Sequence, residues 1–218
     1  MRAVVTGASR GIGLELVRAL SARGDEVLGT CRDGQTHDVG AWHALDVTDP
    51  DAVAALSDAH PAPVDLLVCN AGVYLDKLHQ IDDGFPPELW ADTFAVNVTG
   101  VFLTVQALLP QLRAASGAKI AIIGSQMGSD TRAPGGSFIY RASKAAALNL
   151  GRNLAAELLP EGIAVGIYHP GWVQTDMGGT AADITVAESA AGLLARFDGL
   201  SLASTGCFLT WDGREHPY

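Results

Sequence analysis

Two groups of residues in this chain have types and spacings that could do chemistry on a small molecule. In the first, a phenol and an ammonium, Tyr140 and Lys144, stand four residues apart. On a helix, side chains with that spacing share one face. A phenol with its usual pKa of about 10 is a poor acid at neutral pH, and a nearby cation lowers that pKa. The pair therefore predicts a proton donor for a developing alkoxide, as carbonyl reduction requires.

The second group is the glycine-rich segment Thr6–Gly13, which directly follows a short apolar run. Its glycines at positions 7, 11 and 13 give a GxxxGxG spacing, which permits a tight turn and close approach of backbone to a pyrophosphate. A helix that begins there adds N–H groups and a favourable dipole. A glycine-rich turn alone is a weak signal, but in the first βα turn of an α/β chain it predicts dinucleotide binding.

Further polar residues follow other apolar runs, and together with these two groups they resemble the short-chain dehydrogenases/reductases over essentially the whole chain. These further residues are Asn70-Ala71-Gly72, Asn97, Ser125 and Pro170-Gly171. The segments 138–144, 169–179 and 206–217 resemble the C-factor-like and sniffer-like carbonyl reductases of that family. The resemblance implies an oxidoreductase that moves hydride between a nicotinamide cofactor and a carbonyl or alcohol.

The same resemblance implies roles for four catalytic residues. Tyr140 would be the general acid/base, and Lys144 would tune it and hold the nicotinamide ribose. Ser125 would bind the substrate oxygen, and Asn97 would hold a water that links Lys144 to solvent. The segment between Ser125 and Tyr140 is slightly longer than is usual in the family and contains a second serine, Ser129. We assign the role to Ser125 because it directly follows a predicted strand.

The cofactor contacts implied by the resemblance lie in the glycine loop and after several predicted strands. Asp46 would bind the adenine, and Thr175 would contact the carboxamide end of the cofactor. The full predicted set is Gly7, Ser9, Arg10, Gly11, Ile12, Gly13, Arg32, Asp46, Val47, Asn70, Ala71, Gly72, Tyr140, Lys144, Pro170, Gly171, Val173 and Thr175.

The end of the second predicted strand bears on the choice of nicotinamide cofactor. NAD-preferring enzymes place an acid there to bind the ribose 2′-hydroxyl, but this chain has Cys31. Arg32 follows it, and a guanidinium suits a 2′-phosphate. Arg10 could add a second cation. We therefore predict NADP(H), with NAD(H) left open because a shift of one residue would bring Asp33 to the ribose.

The elements that must position these residues alternate between short apolar runs and longer helical patterns. This β-α-β rhythm predicts one Rossmann-type domain over residues 1–218, a doubly wound parallel sheet of about seven strands with helices on both faces. The predicted strands are Ala3–Val5, Glu26–Thr30, Trp42–Leu45, Asp65–Cys69, Lys119–Ile123, Ile163–Tyr168 and Cys207–Thr210. The predicted helices are Gly13–Ala22, Asp51–Ala59, Glu88–Leu112, Tyr140–Leu159 and Thr185–Phe197.

The composition argues against several kinds of partner and site. The formal net charge of −10 argues against a nucleic-acid partner, which needs a basic footprint. Three cysteines without a CxxC or Cys/His cluster predict neither a disulfide framework nor a metal site. With no signal peptide and no apolar stretch of membrane-spanning length evident, we expect a cytoplasmic protein that does not bind membranes. The apolar faces of the two longest predicted helices either only cover the sheet or also form a homodimer contact.

Other functions are compatible with parts of this pattern. A nucleotide-binding signalling protein would need the glycine loop but not the four catalytic residues. An epimerase or dehydratase of the same superfamily would need a larger substrate domain. The short segment Thr175–Ile184 predicts an open substrate cleft, with Trp172 and Met177 as candidate apolar contacts. His169 precedes the Pro-Gly turn at a strand end, where we expect a structural role rather than that of a catalytic base.

Overall fold

A parallel sheet of seven strands runs through the molecule, in the order β3-β2-β1-β4-β5-β6-β7. The computed structural model describes the backbone of residues 1–218 and every side chain except that of Asp83. The strands are β1 (Arg2–Val5), β2 (Glu26–Cys31), β3 (Ala41–Ala44), β4 (Leu66–Cys69), β5 (Lys119–Ile123), β6 (Ala164–His169) and β7 (Phe208–Thr210). Each corresponds to a predicted strand, and the predicted fold class is confirmed.

Helices cover both faces of this sheet. They are α1 (Gly11–Ala22), α2 (Pro50–Ala59), α3 (Pro87–Phe94), α4 (Gly100–Ala114), α5 (Phe138–Leu158) and α6 (Val186–Gly199). Helices α1 and α6 share one hydrophobic cluster with the sheet, while α2, α4 and α5 share the other. Because β4 and β6 are covered on both sides, all their residues are buried, and their sequences are apolar runs rather than alternating ones, apart from His169 at the end of β6.

The order of the strands creates a crevice at one edge of the sheet. The chain passes from β1 to β2 and β3 on one side, and then crosses to β4 on the other side of β1. The loops that follow β1 and β4 therefore diverge from neighbouring strand ends. In open α/β sheets, ligands bind at this switch point, beyond the carboxyl ends of the strands.

The predicted helix Glu88–Leu112 is not uniform. A π-helical turn, Ala95–Thr99, separates α3 from α4 within one helical run, Pro87–Ala114. By length and composition alone this run of 28 residues could cross a membrane, so the expectation that no stretch is long enough was wrong. One face of α4 nevertheless packs into the core through Val101, Val105 and Leu108, as in a helix that covers a sheet.

Candidate active site

The loops that follow β1 and β4 are tied together at the switch point. The Thr6 hydroxyl oxygen accepts hydrogen bonds from the backbone N–H groups of Asn70 and Ala71, both at 3.1 Å. In return, Asn70 Nδ2 donates to the carbonyl oxygens of Thr6 and Gly7, both at 2.9 Å. A Cβ atom on Gly13 would lie 2.5 Å from Asn70 Nδ2, so this close approach requires glycine at position 13. The two predicted cofactor loops thus form one rigid unit.

Helix α1 begins at Gly11 and directs its N-terminus into this crevice. Its N-cap residue, Arg10, has an extended backbone and no side-chain capping bond, and the first turn carries no acidic side chain. The N–H groups of a first helical turn lack partners within the helix. The preceding loop is held in place by His37, whose Nε2 lies 2.9 Å from the Ser9 carbonyl oxygen. An uncapped helix N-terminus behind glycines fits the pyrophosphate of a dinucleotide.

The three residues that bear on cofactor preference lie at the end of β2 and have different surroundings. Cys31 is buried and donates from Sγ to the Gln35 carbonyl oxygen at 2.9 Å. Asp33 accepts from the Gln35 N–H at 3.3 Å, and this backbone hydrogen bond is the main cause of its lowered pKa. Arg32 is exposed. Both side chains are therefore accessible, but the carboxylate of Asp33 is engaged in a local turn.

The predicted adenine contacts follow β3. Asp46 Oδ1 accepts from the Thr48 hydroxyl at 2.7 Å and from the Thr48 N–H at 2.9 Å, and these bonds lower the pKa of Asp46. The Val47 side chain is buried against α4, where a Cβ on Gly100 would lie 2.8 Å from it. Only the backbone of Val47 is thus left for a cofactor contact.

Tyr140 and Lys144 lie in the first two turns of α5, with 7% and 6% of their surfaces exposed. Lys144 Nζ lies 5.7 Å from the centroid of the Tyr140 ring and donates to the Ile123 carbonyl oxygen at 3.0 Å. Burial raises the pKa of Tyr140 to about 12 and lowers the pKa of Lys144 to about 8. The expected lowering of the phenol pKa is therefore wrong for this chain, because burial disfavours both charged forms.

Ser125 follows β5 and caps the short 3₁₀ turn Gln126–Gly128 by accepting from the Met127 N–H at 3.1 Å. Its hydroxyl is the second influence on the pKa of Tyr140 after burial, and it acts to lower that pKa. Ser129 is also buried, but its hydroxyl pairs with that of Thr131 at 2.9 Å. The geometry thus favours Ser125 over Ser129 as the partner of the phenol.

Asn97 lies in the π-helical turn and is 1% exposed. Its side chain accepts from the Val73 N–H and donates to the Val73 carbonyl oxygen, both at 2.9 Å. It also donates to the Ser143 hydroxyl at 3.0 Å, and Ser143 in turn donates to the Tyr140 carbonyl oxygen at 2.8 Å. The amide of Asn97 therefore joins the segment after β4 to α5. A Cβ on Gly72 would lie 3.3 Å from Asn97 Oδ1 and 3.5 Å from Lys144 Nζ, so these groups converge.

The loop after β6 closes the crevice on its far side. A Cβ on Gly11 would lie 3.4 Å from Thr175 Cγ2, so the glycine loop and this loop face each other. Arg10 forms an exposed ion pair with Asp176 across the gap. The other predicted residues of this loop lie at its start: Pro170, Gly171 and Val173.

Comparisons with known proteins agree with this geometry. A family model for short chain dehydrogenases matches residues 1–184. The chain belongs to the short-chain dehydrogenase/reductase family. The C-signal protein of Myxococcus xanthus is 38% identical over 162 residues, which make up 72% of this chain and 93% of that protein.

Two solved structures in the family extend the likeness to the whole fold. The NADPH-bound carbonyl reductase from chicken fatty liver has a TM-score of 0.90 and 33% identity, over 100% of this chain and 98% of that one. The carbonyl reductase Sniffer of D. melanogaster has a TM-score of 0.91 and 26% identity, over 100% of this chain and 99% of that one. The predicted C-factor-like and sniffer-like branch of the short-chain dehydrogenases/reductases is thereby confirmed.

Some residues of this short-chain dehydrogenase/reductase site were missed by sequence reasoning. Tyr74 stacks on the Tyr140 ring, with centroids 4.2 Å apart. Asp76 accepts hydrogen bonds from the start of α5, and Ser143 links Asn97 to Tyr140. Ser143 lies between Tyr140 and Lys144 and shares a helix face with Tyr140, so the helical spacing could have indicated it. Tyr74 and Asp76 follow the Asn-Ala-Gly segment without a spacing that could have indicated them.

Proposed function

We propose that this protein is an NADP(H)-dependent carbonyl reductase whose whole length, residues 1–218, forms one cofactor-binding domain. The convergence of Ser125, Tyr140 and Lys144 beside the glycine loop carries the proposal. A nicotinamide bound in the crevice would supply or accept the hydride. All other steps fall to side chains of this chain.

The reduction would use those three side chains in turn. The Ser125 hydroxyl donates a hydrogen bond to the substrate carbonyl oxygen and holds it beside the phenol. Tyr140, whose pKa burial raises to about 12, is protonated at neutral pH like any tyrosine, and it gives its proton to the oxygen as negative charge develops there. Lys144, with a pKa of about 8, is mainly charged at neutral pH and stabilises the phenolate that remains.

Asn97 supports this arrangement from behind. Its hydrogen bonds to Val73 and Ser143 fix the segment after β4 against α5. The water that Asn97 was predicted to hold would restore the proton to the site from solvent, and this role stays a prediction. A π-helical turn at its position accords with a functional role, because such turns occur frequently at functional sites.

The proposed preference for NADP(H) is supported by the end of β2. Arg32 and Asp33 are both exposed, but the Asp33 carboxylate accepts a hydrogen bond from the Gln35 N–H, and no carboxylate stands at position 31. The expected result is that Arg32→Ala raises the KM for NADPH more than the KM for NADH. Arg18→Ala, at an exposed arginine on α1 that pairs with Glu15, is the matched control. Equal effects of Arg32→Ala on both cofactors would remove the basis of the preference.

The substrate we propose is a small aldehyde or ketone with an apolar substituent. Trp172 and Met177 are 47% and 40% exposed in the loop after β6, and Leu75 is exposed in the segment after β4. Lys77 ties these two segments together by donating to the Met177 carbonyl oxygen at 3.0 Å. Exposed apolar side chains that flank a catalytic cleft can bind the apolar part of a ligand. A cytoplasmic location would match a small-molecule reductase.

The first experiment is to follow NADPH oxidation against a panel of aldehydes, ketones and diketones. Turnover should fall about 10²–10⁴-fold in Tyr140→Phe, while NADPH binding measured by fluorescence titration is kept. Retained turnover in Tyr140→Phe would reject the mechanism. The 38% identity to the C-signal protein favours a second candidate, a nucleotide-binding signalling protein. Tight NADPH binding without turnover across the panel would support that candidate instead.

A further inference from the structure

A buried carboxylate grips the start of the helix that carries Tyr140. Asp76 lies in the segment after β4 and is 0% exposed. Its Oδ2 accepts from the Ile139 N–H at 2.8 Å, and its Oδ1 accepts from the Tyr140 N–H at 3.2 Å. Backbone N–H groups at a helix N-terminus favour an acceptor with negative charge. A side chain more than sixty residues away in sequence thus supplies the cap for α5.

The N-cap residue of α5 does not provide that cap. Ser137 has φ 49° and ψ 44°, and it is the single non-glycine residue with positive φ in the described backbone. Its side chain makes no capping bond to α5 and instead hydrogen-bonds to the Tyr74 hydroxyl. Tyr74 and Asp76, two residues apart, therefore hold α5 at two points: Tyr74 at Ser137 and at the Tyr140 ring, and Asp76 at the helix backbone.

Several polar or charged groups face Tyr140 from the elements packed around it. Tyr74 and Asp76 come from the segment after β4, Ser125 from the turn after β5, and Lys144 from the next turn of α5. The Asp76 carboxylate and Tyr74 act against ionisation of the phenol, whereas the Ser125 hydroxyl favours it. A negative charge in a buried place opposes the creation of a second one nearby. Asp76 is thus both a structural and an electrostatic neighbour of the phenol.

We propose that Asp76 is a positioning residue for Tyr140, which fixes the phenol through the first turn of α5 and whose charge biases it toward the protonated, proton-donating form. The inference rests on the proposed role of Tyr140 as general acid. Its consequence is a phenol that ionises only at higher pH. Alcohol oxidation, which needs the phenolate as a base, then requires higher pH.

The test compares the pH dependence of kcat for alcohol oxidation in the wild-type protein and in Asp76→Asn. The amide keeps the size of the side chain and one acceptor oxygen but removes the charge. The apparent pKa that limits oxidation should fall by about one pH unit. Asp82→Asn, at an exposed acid in the same segment, should leave the profile unchanged.

Two further variants separate charge from geometry. Asp76→Glu keeps the charge and changes the reach, so kcat should fall while the profile stays at the wild-type pH. If Asp76→Asn does not fold, Asp76→Ser supplies a neutral acceptor for the same charge test. A neutral variant with reduced kcat and an unshifted profile would overturn the inference, since a merely structural cap would behave that way. Tyr140→Phe is measured in parallel. If Tyr140→Phe retains turnover, the proposed function itself is rejected. If Tyr140→Phe is inactive and the pH profile of Asp76→Asn is unshifted, only the role of Asp76 is rejected.

Discussion

Replacing Gly13 with alanine tests whether the two cofactor loops are a rigid unit. The new methyl group would lie 2.5 Å from Asn70 Nδ2, 2.6 Å from the Gly7 carbonyl oxygen and 2.9 Å from Ala8 Cα. Two of these three atoms are backbone, and the third is held by two hydrogen bonds. No flexible side-chain end can move aside, so the loops after β1 and β4 must separate.

The loss in the free energy of unfolding can be worked out from the contacts that the substitution disrupts. Overpacking in a filled site costs about 1–3 kcal/mol. The two hydrogen bonds from Asn70 Nδ2 to Thr6 and Gly7 contribute about 0.5–1.5 kcal/mol each. Alanine improves the helix propensity of α1 by about 1 kcal/mol over glycine, which opposes these losses. We therefore expect the free energy of unfolding to fall by about 1–5 kcal/mol.

Urea unfolding measures that loss, and fluorescence titration with NADPH measures its effect on the crevice. We expect weaker NADPH binding, because the glycine loop can no longer keep its place beside Asn70. Gly199→Ala is the matched control: Gly199 ends α6, and a Cβ there meets no atom within 4 Å. A Gly13→Ala protein with wild-type stability and an unchanged Kd for NADPH would refute the reasoning.

Three further outcomes follow from the buried groups. Because the pKa of Lys144 is lowered to about 8, kcat for carbonyl reduction should be constant below pH 8 and fall about tenfold per pH unit above it. A constant kcat up to about pH 10 would contradict the role of the charged lysine. Ser125→Ala should lower kcat/KM for reduction by about 100-fold, whereas Ser129→Ala should change it little, and the reverse pattern would transfer the role to Ser129. Burial lowers the pKa of His169 to about 4, so the unfolded chain binds the extra proton between about pH 6.5 and pH 4 and stability falls on acidification through that window. Between pH 7 and pH 5 this group should lower the free energy of unfolding by about 2 kcal/mol. Urea unfolding of His169→Asn should show a loss on acidification that is smaller by this amount. The same pH dependence of stability in the two proteins would show that the residue does not titrate as described.

The strands could be predicted from the sequence because both faces of the sheet are covered. Burial on both faces makes β4 and β6 nearly continuous apolar runs, which can be distinguished from the polar loops around them. The boundaries differ by a few residues at most, as at β3, which is Ala41–Ala44 rather than Trp42–Leu45. The π-helical turn Ala95–Thr99 could not be predicted, since a single wider turn leaves the chain helical on either side and barely disturbs its apolar pattern.

The candidate site was predictable where its residues are close in sequence. Tyr140 and Lys144 are joined by helical spacing, and the glycine loop by its own pattern. Asp76 and Tyr74 contact α5 across more than sixty residues, so only the folded chain brings them to the phenol. The predicted direction of the shift in the pKa of Tyr140 was wrong for a related reason. The spacing puts an ammonium near the phenol, but it cannot show that both groups are buried.

That burial has a consequence for how the catalytic pair would work. The folded chain pushes Tyr140 and Lys144 toward their neutral forms, so neither charge is stabilised in advance by solvent. Proton donation by Tyr140 creates a phenolate beside the one cation of the α5 pair, and in a buried place their attraction is much stronger than in water. The stabilisation therefore arises mainly when the proton leaves, as catalysis requires, because only interactions stronger in the transition state raise kcat. The Asp76 carboxylate opposes that phenolate, so part of the attraction to Lys144 offsets this repulsion, and the balance of the two charges sets how readily Tyr140 gives up its proton.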